Sequence, residues 1–276
     1  MDIKHIAEQI ASSLHATSIV CYGSWADKTA DDKSDIDLLV VMASEVPDCH
    51  MRRLCYEALE RVTVLELDKS NTGGWDNSWS PVNDKIQIKN QIIEIGYNRA
   101  SWVLEVVDNL INKHSIHFSA FPFRPYTFLG LLETCQILFD RDNFIQSCRS
   151  RLRPIPLELK QAIIREYFPI LLESVQDLGD CSERCVGIIA YLFFLERSID
   201  AAIQILFVIN DIYDPASKRI EGYLKQLKTV PPNLFFFLEE LLPRFYENRG
   251  AIDQFFKEVI QFVNKFSAMS ANGQGL

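Results

Sequence analysis

Two aspartates separated by one apolar residue are the part of the sequence best suited to chemistry. Asp35 and Asp37 flank Ile36 at the start of an apolar, β-branched run that predicts a strand reaching Met42. Side chains at positions i and i+2 of a strand share one face, so both carboxylates point the same way while Ile36 points into the core. Two carboxylates this close repel each other unless a cation lies between them, and carboxylate oxygens are hard ligands that suit magnesium.

A second short motif precedes the aspartates. The apolar run from Ser18 to Tyr22 predicts a buried strand that stops at Gly23-Ser24. Glycine lets the backbone approach a ligand closely, and backbone N–H groups beside a serine hydroxyl are suited to bind phosphate. The following residues, 25–34, are charged and poor in apolar side chains, which predicts a turn of helix and a loop leading to Asp35.

Together, the two motifs resemble the nucleotidyltransferase superfamily, which has the fold of DNA polymerase β. Its signature is an apolar strand ending in Gly-Ser, a short polar gap and then Asp-apolar-Asp-apolar. The matching segments are Tyr22-Gly23-Ser24 and Ser34-Asp35-Ile36-Asp37-Leu38-Leu39-Val40-Val41. The resemblance implies that Asp35 and Asp37 are catalytic and hold magnesium, and that Gly23 and Ser24 contact the nucleotide.

The resemblance also implies a third acidic residue on a neighbouring strand, and Glu94 is the residue that this sequence offers. The segment 85–97 alternates and is broken at Lys89-Asn90, which predicts a kinked or hairpin-like pair of strands. Glu94 faces away from the apolar Ile93 and Ile95. Alternation alone would also produce a solvent-facing glutamate, so it is the family pattern that favours Glu94 as the third catalytic and metal-binding acid.

A further motif lies in the second half of the chain. Asn210, Tyr213, Pro215 and Lys218 follow the Asn-x-x-Tyr-x-Pro-x-x-Lys pattern of helical domains in bacterial small-molecule nucleotidyltransferases, such as those acting on aminoglycosides. This resemblance implies that Lys218, together with Tyr213, binds the triphosphate. Asp214 is the predicted N-cap of a helix over residues 216–227, which would place Lys218 near its positive end. A packed tyrosine beside an exposed surface lysine is the alternative reading.

The sequence departs from the family in one place. Members often carry arginine after the Gly-Ser motif, whereas Trp25 and Asp27 stand there in this chain. A basic phosphate contact is therefore missing from that turn, and the nucleotide preference is left open.

Strand and helix patterns alternate as far as Arg151, and Arg153-Pro154-Ile155-Pro156 marks a boundary. We predict an α+β fold in which a mixed-sheet nucleotidyltransferase domain of about five strands precedes an all-helical bundle domain. The predicted limits are residues 1–152 for the first domain, 153–266 for the bundle and 267–276 for a flexible tail. Helices are predicted over residues 3–14, 51–59, 102–112, 157–178, 181–196, 198–212, 216–227 and 234–266.

The composition and charge of the chain limit its expected partners and location. The 276 residues carry a formal net charge of −9, whereas a protein that binds a nucleic-acid backbone needs a basic face. Nucleic acid is therefore not an expected partner, and an acidic protein suits a cationic acceptor. The apolar stretch Cys185–Leu195 is too short to span a bilayer, so no membrane association is expected. The seven cysteines are read as free thiols, and with no signal-type amino terminus the expected location is cytoplasmic.

The predicted function is magnesium-dependent transfer of a nucleoside monophosphate from a nucleoside triphosphate to a hydroxyl of a small molecule, with release of pyrophosphate. An antibiotic is one candidate acceptor, which would make the enzyme a resistance factor. The sequence does not decide which residue acts as the general base. The candidates are Glu94 and the bundle acids Glu166, Glu173 and Asp177. Two alternatives remain: the same chemistry on a protein or tRNA, as in toxin–antitoxin modules, and a non-catalytic nucleotide-binding protein. The sequence leaves open whether the protein forms a homodimer.

Overall fold

The computed structural model describes residues 2–68, 79–116, 124–184 and 186–271. Contacts divide the chain into two units, Met1–Pro156 and Leu157–Leu276. The first unit contains a mixed sheet with helices, and the described part of the second is helical, which confirms the predicted α+β class.

The described strands of the first unit form one six-stranded sheet in the order β3-β4-β5-β2-β1-β6. Among the described pairs, β2 and β5 run parallel and the others antiparallel. The strands are β1 (Ser18–Tyr22), β2 (Ile36–Met42), β3 (Val62–Glu66), β4 (Val82–Ile88), β5 (Gln91–Arg99) and β6 (Gln136–Asp140). The prediction of about five strands missed β6, which extends the sheet by pairing with β1.

Among the described residues, five helices accompany the sheet: α1 (Ile3–Leu14), α2 (Cys49–Glu57), α3 (Ala100–Ile111), α4 (Thr127–Thr134) and α5 (Phe144–Ser150). Helix α1 begins where the Asp2 side chain accepts hydrogen bonds from the backbone N–H groups of Lys4 and His5. Its buried residues share a core with alternate residues of the strands, because helical spacing and strand alternation each put apolar side chains on one side. This core includes Ile6, Ile10, Ile19, Ile36, Leu38, Val40, Ile86, Ile93 and Ile95.

Asp140, at the end of β6, caps the helix that follows. Its carboxylate accepts hydrogen bonds from the backbone N–H groups of Ile145 at 2.9 Å and Gln146 at 3.1 Å. It also accepts one from the buried Ser18 hydroxyl at 2.6 Å, which ties the start of α5 to β1. A carboxylate at a helix N-terminus satisfies free N–H groups and favours the helix dipole.

A charged hydrogen-bond network is buried between α2 and the sheet. The Arg52 side chain, 2% exposed, donates from Nε to Asp84 Oδ2 at 2.7 Å and from Nη2 to Oδ1 at 3.3 Å. The Tyr56 hydroxyl donates to Asp84 Oδ2 at 2.7 Å and is hydrogen-bonded to the Tyr97 hydroxyl. Asp68 forms a second ion pair with the Arg52 guanidinium. Burial opposes the charge of Arg52, yet its bonds with Asp84 and Asp68 raise its pKa above the usual value.

The helices of the second unit are α6 (Leu157–Glu183), α7 (Ile188–Ile209), α8 (Ile220–Leu224), α9 (Leu234–Phe236) and α10 (Arg249–Ala271). The predicted break at Gly179 is wrong, since α6 continues to Glu183 and Gly179 instead gives room to Asp253. A Cβ at that position would lie 3.2 Å from Asp253 Oδ1. The predicted break near Arg197 is also wrong, because no proline or glycine interrupts α7 there.

Two further helix predictions in this unit need correction. The helix predicted over 216–227 is shorter: a 3-10 turn, Ser217–Arg219, leads into α8. Asp214 is buried and precedes that turn by three residues, and its predicted capping role stays a prediction. The helix predicted over 234–266 is interrupted, because a π-helical turn and a 3-10 turn containing Pro243 separate α9 from α10. Helix α10 runs to Ala271, past the predicted start of the tail, and residues 272–276 lie outside the described range.

A core of aliphatic and aromatic side chains holds the second unit together. Phe237 stacks on Phe255 with ring centroids 4.2 Å apart, and both rings meet Phe256 edge-on. Lys160 reaches Asp211 at 2.9 Å, pairing a nearly buried ammonium with a carboxylate at the end of α7. Within the described residues, no helix combines the length and apolar character needed to cross a membrane.

Candidate metal and nucleotide site

Asp35, Asp37 and Glu94 come together on one side of the sheet. Asp37 on β2 is the register partner of Glu94 on the parallel strand β5, and Asp35 directly precedes β2. One carboxylate oxygen from each residue lies within 4.8 Å of the others, and all three side chains are partly exposed. Three hard oxygen donors at this spacing and open to solvent match the ligands that magnesium takes in proteins.

The loop before β2 fixes the position of Asp35. Asp31 and Ser34 close a tight turn: the Ser34 hydroxyl is 2.8 Å from Asp31 Oδ1 and accepts from the Asp31 N–H at 2.9 Å. The side-chain hydrogen bond with Ser34 and the backbone bond from Lys33 lower the pKa of Asp31. Gln91, at the start of β5, donates from Nε2 to the Ser34 carbonyl at 2.7 Å. The loop carrying Asp35 is therefore tied to the strand that carries Glu94.

Position 23 requires glycine for two reasons, the backbone conformation and the short distance to Asp37. Its φ of +74° lies in the left-handed region, and a Cβ built there would be 2.5 Å from Asp37 Oδ2. The Asp37 carboxylate therefore occupies the space that any side chain at position 23 would need. The backbone of the Gly-Ser turn thus lies directly against a carboxylate of the acidic cluster.

We expect Gly23→Ala to weaken metal binding by about 10- to 100-fold, as is typical when the support of a metal ligand is disturbed. The new methyl group displaces the Asp37 carboxylate, and the left-handed backbone adds strain of about 1–2 kcal/mol. Titration with Mn²⁺ measures the affinity. Gly222→Ala is the matched control, because a Cβ there meets nothing within 4 Å. Equal affinities in the two variants would contradict the close approach.

Tyr22 lies beside the acidic cluster as the register partner of Asp37. Burial raises the pKa of its phenol strongly, and the charges of Asp37 and Glu94 raise it further. The phenol therefore stays protonated at neutral pH. A neutral hydroxyl next to three carboxylates adds no negative charge to the site.

Lys85 is a site residue that the sequence analysis missed. It is the register partner of Glu94 in the β4–β5 hairpin, and its Nζ is 2.7 Å from Glu94 Oε1. The hydrogen bond to Glu94 raises the pKa of Lys85, so the ammonium remains charged. The two-residue turn Lys89-Asn90 pairs Ile88 with Gln91, and counting back from this turn places Lys85 opposite Glu94.

The segment after Gly23 folds into consecutive turns. The Thr29 N–H donates to the Ser24 carbonyl at 2.9 Å, and the Asp27 N–H donates to the Gly23 carbonyl at 3.2 Å. Ser24 is partly exposed, and Trp25 is exposed, so neither is buried in the core. The turns keep Gly23 and Ser24 at the end of β1, on the strand that pairs with β2.

The remaining predicted site residues lie in the second unit. Tyr213 is buried, with 1% of its surface exposed, and Lys218 is exposed within the 3-10 turn. Asn210 of the same motif has a clear structural role: its Oδ1 accepts from the N–H groups of Lys228 and Thr229. Its Nδ2 donates to the Thr229 carbonyl at 2.7 Å, so it ties the end of α7 to the chain beyond α8.

The acids considered as general bases in the bundle all lie on α6. Glu166 and Glu173 are exposed and Asp177 is half-buried. Their spacing of seven and four residues places them on one side of the helix.

Comparison with known proteins supports the reading of the first unit. Residues 3–120 match the model of the nucleotidyltransferase domain family. None of the curated proteins matches the sequence. The crystal structure of a nucleotidyltransferase-like protein from Exiguobacterium sibiricum 255-15 aligns over 99% of this chain and 77% of its own length, with 11% identity. Its TM-score of 0.47 is too low to carry an argument. The family match spans all three carboxylates, so residues 3–120 are similar to nucleotidyltransferase domains, and this similarity supports a transferase.

Proposed function

We propose that the protein transfers a nucleoside monophosphate from a nucleoside triphosphate to a hydroxyl group of a small molecule and releases pyrophosphate. The observation that carries this proposal is the approach of Asp35, Asp37 and Glu94 within 4.8 Å of one another inside the matched domain. Such a cluster is too negative to bind a triphosphate by itself, because carboxylates and phosphates repel.

The residues present fit magnesium as the metal. Asp35, Asp37 and Glu94 would hold it, and their open side leaves positions for water and phosphate oxygens. When bound, the metal neutralises charge that develops on the triphosphate as pyrophosphate leaves. Gly23 keeps the Asp37 carboxylate in place by leaving room for it. Tyr22 contributes a neutral hydroxyl rather than a fourth negative charge.

Nucleotide contacts are proposed at three residues, with Tyr213 in a supporting role. Gly23 and Ser24 stand at the strand end next to the acidic cluster, and Ser24, which is partly exposed, offers a hydroxyl and a backbone N–H to phosphate. Lys218 is proposed to bind the triphosphate because the Gly-Ser turn lacks the basic residue common in the family. Tyr213 is buried, so we propose that it supports the turn that carries Lys218.

A small acceptor is favoured by the charge of the chain. The net charge of −9 opposes a nucleic-acid backbone and suits a cationic compound, and an aminoglycoside-like antibiotic has that chemistry. A protein acceptor is the second candidate, because the acidic balance does not oppose it. The free thiols of the described cysteines agree with a cytoplasmic location, which we also propose.

The decisive experiment is to incubate the enzyme and Mg²⁺ with each of ATP, GTP, CTP and UTP and a pool of hydroxyl compounds that includes aminoglycosides. Mass spectrometry should find an acceptor heavier by one nucleoside monophosphate residue, together with pyrophosphate. A modified protein in place of a modified small molecule would move the assignment to the macromolecular alternative. Nucleotide binding without transfer to any acceptor would contradict the proposal.

Lys218→Ala tests the proposed triphosphate contact. A hydrogen bond between charged groups contributes about 1.5–3 kcal/mol, so the affinity for nucleoside triphosphate should fall about 10- to 150-fold. Calorimetry with the preferred nucleotide measures this change. Lys225→Ala is the matched control, because Lys225 is also exposed and lies directly after α8. If the two variants bind nucleotide equally well, Lys218 is an ordinary surface lysine.

A further inference from the structure

The ammonium of Lys85 already occupies one carboxylate of the acidic cluster. Lys85 Nζ lies 2.7 Å from Glu94 Oε1, with the lysine side chain 23% exposed and the glutamate side chain 42% exposed. The pair lies within a hairpin of regular register, so both backbones are held by strand hydrogen bonds on either side. Both residues lie on strands rather than in loops. The strand register therefore places them opposite each other, and the contact is not a chance meeting of two surface side chains.

The charge of the cluster explains why a lysine belongs there. Three carboxylates within 4.8 Å repel one another strongly when no cation is between them. Lys85 offsets one of these charges by its contact with Glu94. Its other strand neighbour, Glu66 on β3, is also acidic, so Lys85 stands between acids on both sides.

We propose that Lys85 is a built-in counter-ion that holds Glu94 in the metal-free enzyme and competes with the metal for that carboxylate. This inference rests on the proposed metal site. A divalent ion that takes Glu94 as a ligand must weaken or displace the lysine contact. Lys85 therefore limits the affinity for metal and makes the full site form when a second ligand, the triphosphate, arrives with the metal.

Mn²⁺ alone is the probe, and electron paramagnetic resonance of the free ion measures its binding. Lys85→Gln should bind Mn²⁺ about two- to fivefold more tightly than the parent protein, the range set by partly exposed ion pairs. Lys85→Arg, which keeps the charge, should stay close to the parent. Lys113→Gln is the control, since Lys113 pairs with Asp108 at 3.1 Å on the surface of the same unit.

A double variant tests whether Lys85 acts through its contact with Glu94 or only through its positive charge. In a Glu94→Gln background the ion pair is gone, so adding Lys85→Gln should change Mn²⁺ affinity by less than about twofold. If Lys85→Gln tightens Mn²⁺ binding by the same factor with and without Glu94, the proposal is overturned. Unchanged or weaker Mn²⁺ binding in Lys85→Gln alone would overturn it as well.

Asp37→Asn distinguishes this inference from the metal site on which it rests. Loss of Mn²⁺ binding in that variant supports the site. If the parent protein and Asp37→Asn bind equally, the metal site itself fails. If binding depends on Asp37 but not on Lys85, only the counter-ion role fails.

Discussion

Asp37→Asn should reduce nucleotidyl transfer by about 100- to 1000-fold while the protein stays folded, the range seen when one group that stabilises transition-state charge is removed. Asparagine keeps the shape of the side chain, so it still fills the space next to Gly23. It removes the negative charge that a divalent ion needs at the centre of the cluster, between Asp35 and Glu94. Release of pyrophosphate in the presence of the identified acceptor measures the rate.

Asp32→Asn is the matched control for this variant. Asp32 is an exposed acid in the loop that leads to Asp35, and it is not part of the cluster. The substitution changes the net charge by the same amount and should leave the rate within about twofold, as is usual for a surface change. Similar losses in both variants would mean that overall charge, rather than a metal ligand, controls the reaction.

Arg52→Met should destabilise the first unit by about 3–5 kcal/mol, because it leaves the Asp84 carboxylate buried without its ion-pair partner. Methionine keeps much of the side-chain volume, so the loss reports charge and hydrogen bonds more than packing. All four tryptophans precede Pro156, and their fluorescence during urea unfolding therefore reports on the first unit. A loss of this size is a large part of the stability of a typical domain.

Two companion variants make the result specific. Arg53→Met removes the neighbouring arginine, which is half-exposed and 3.9 Å from Glu57, and should cost at most about 0.5 kcal/mol. Combining Arg52→Met with Asp84→Asn removes both charges, and its loss should be smaller than that of Arg52→Met alone. Simple additivity of the two substitutions would show that the pair is not energetically coupled.

The acidic cluster was predictable because each of its parts has a local sequence signal. The two apolar runs define β1 and β2 with the predicted bounds, and strand alternation fixes the direction of Asp37. Glu94 was placed on a strand by its flanking isoleucines. The parallel pairing that brings Glu94 level with Asp37 has no such local signal, because it depends on tertiary contacts between distant segments.

The errors have equally definite causes. Strand β6 is short and follows α4 closely, and its apolar residues show no alternation that would mark a separate strand. Gly179 suggested a helix end because glycine has low helix propensity, but close packing against Asp253 is its role. Lys85 was overlooked because a lysine in an alternating strand usually faces water. The network around Arg52 joins residues from separate elements, and no sequence pattern reports such a contact.

The strand order also has a consequence for how the enzyme folds. Asp37 lies in the β1–β2 pair, whereas Lys85 and Glu94 lie in the β4–β5 hairpin, so each pair forms from segments near to one another in the chain. The β2–β5 contact that joins them closes a longer loop, and contacts of this kind form more slowly. We therefore expect the salt bridge of the hairpin to exist before the aspartates arrive. On this expectation the three carboxylates meet only after Lys85 has paired with Glu94, and the incomplete sheet offers a stray metal ion a weaker site.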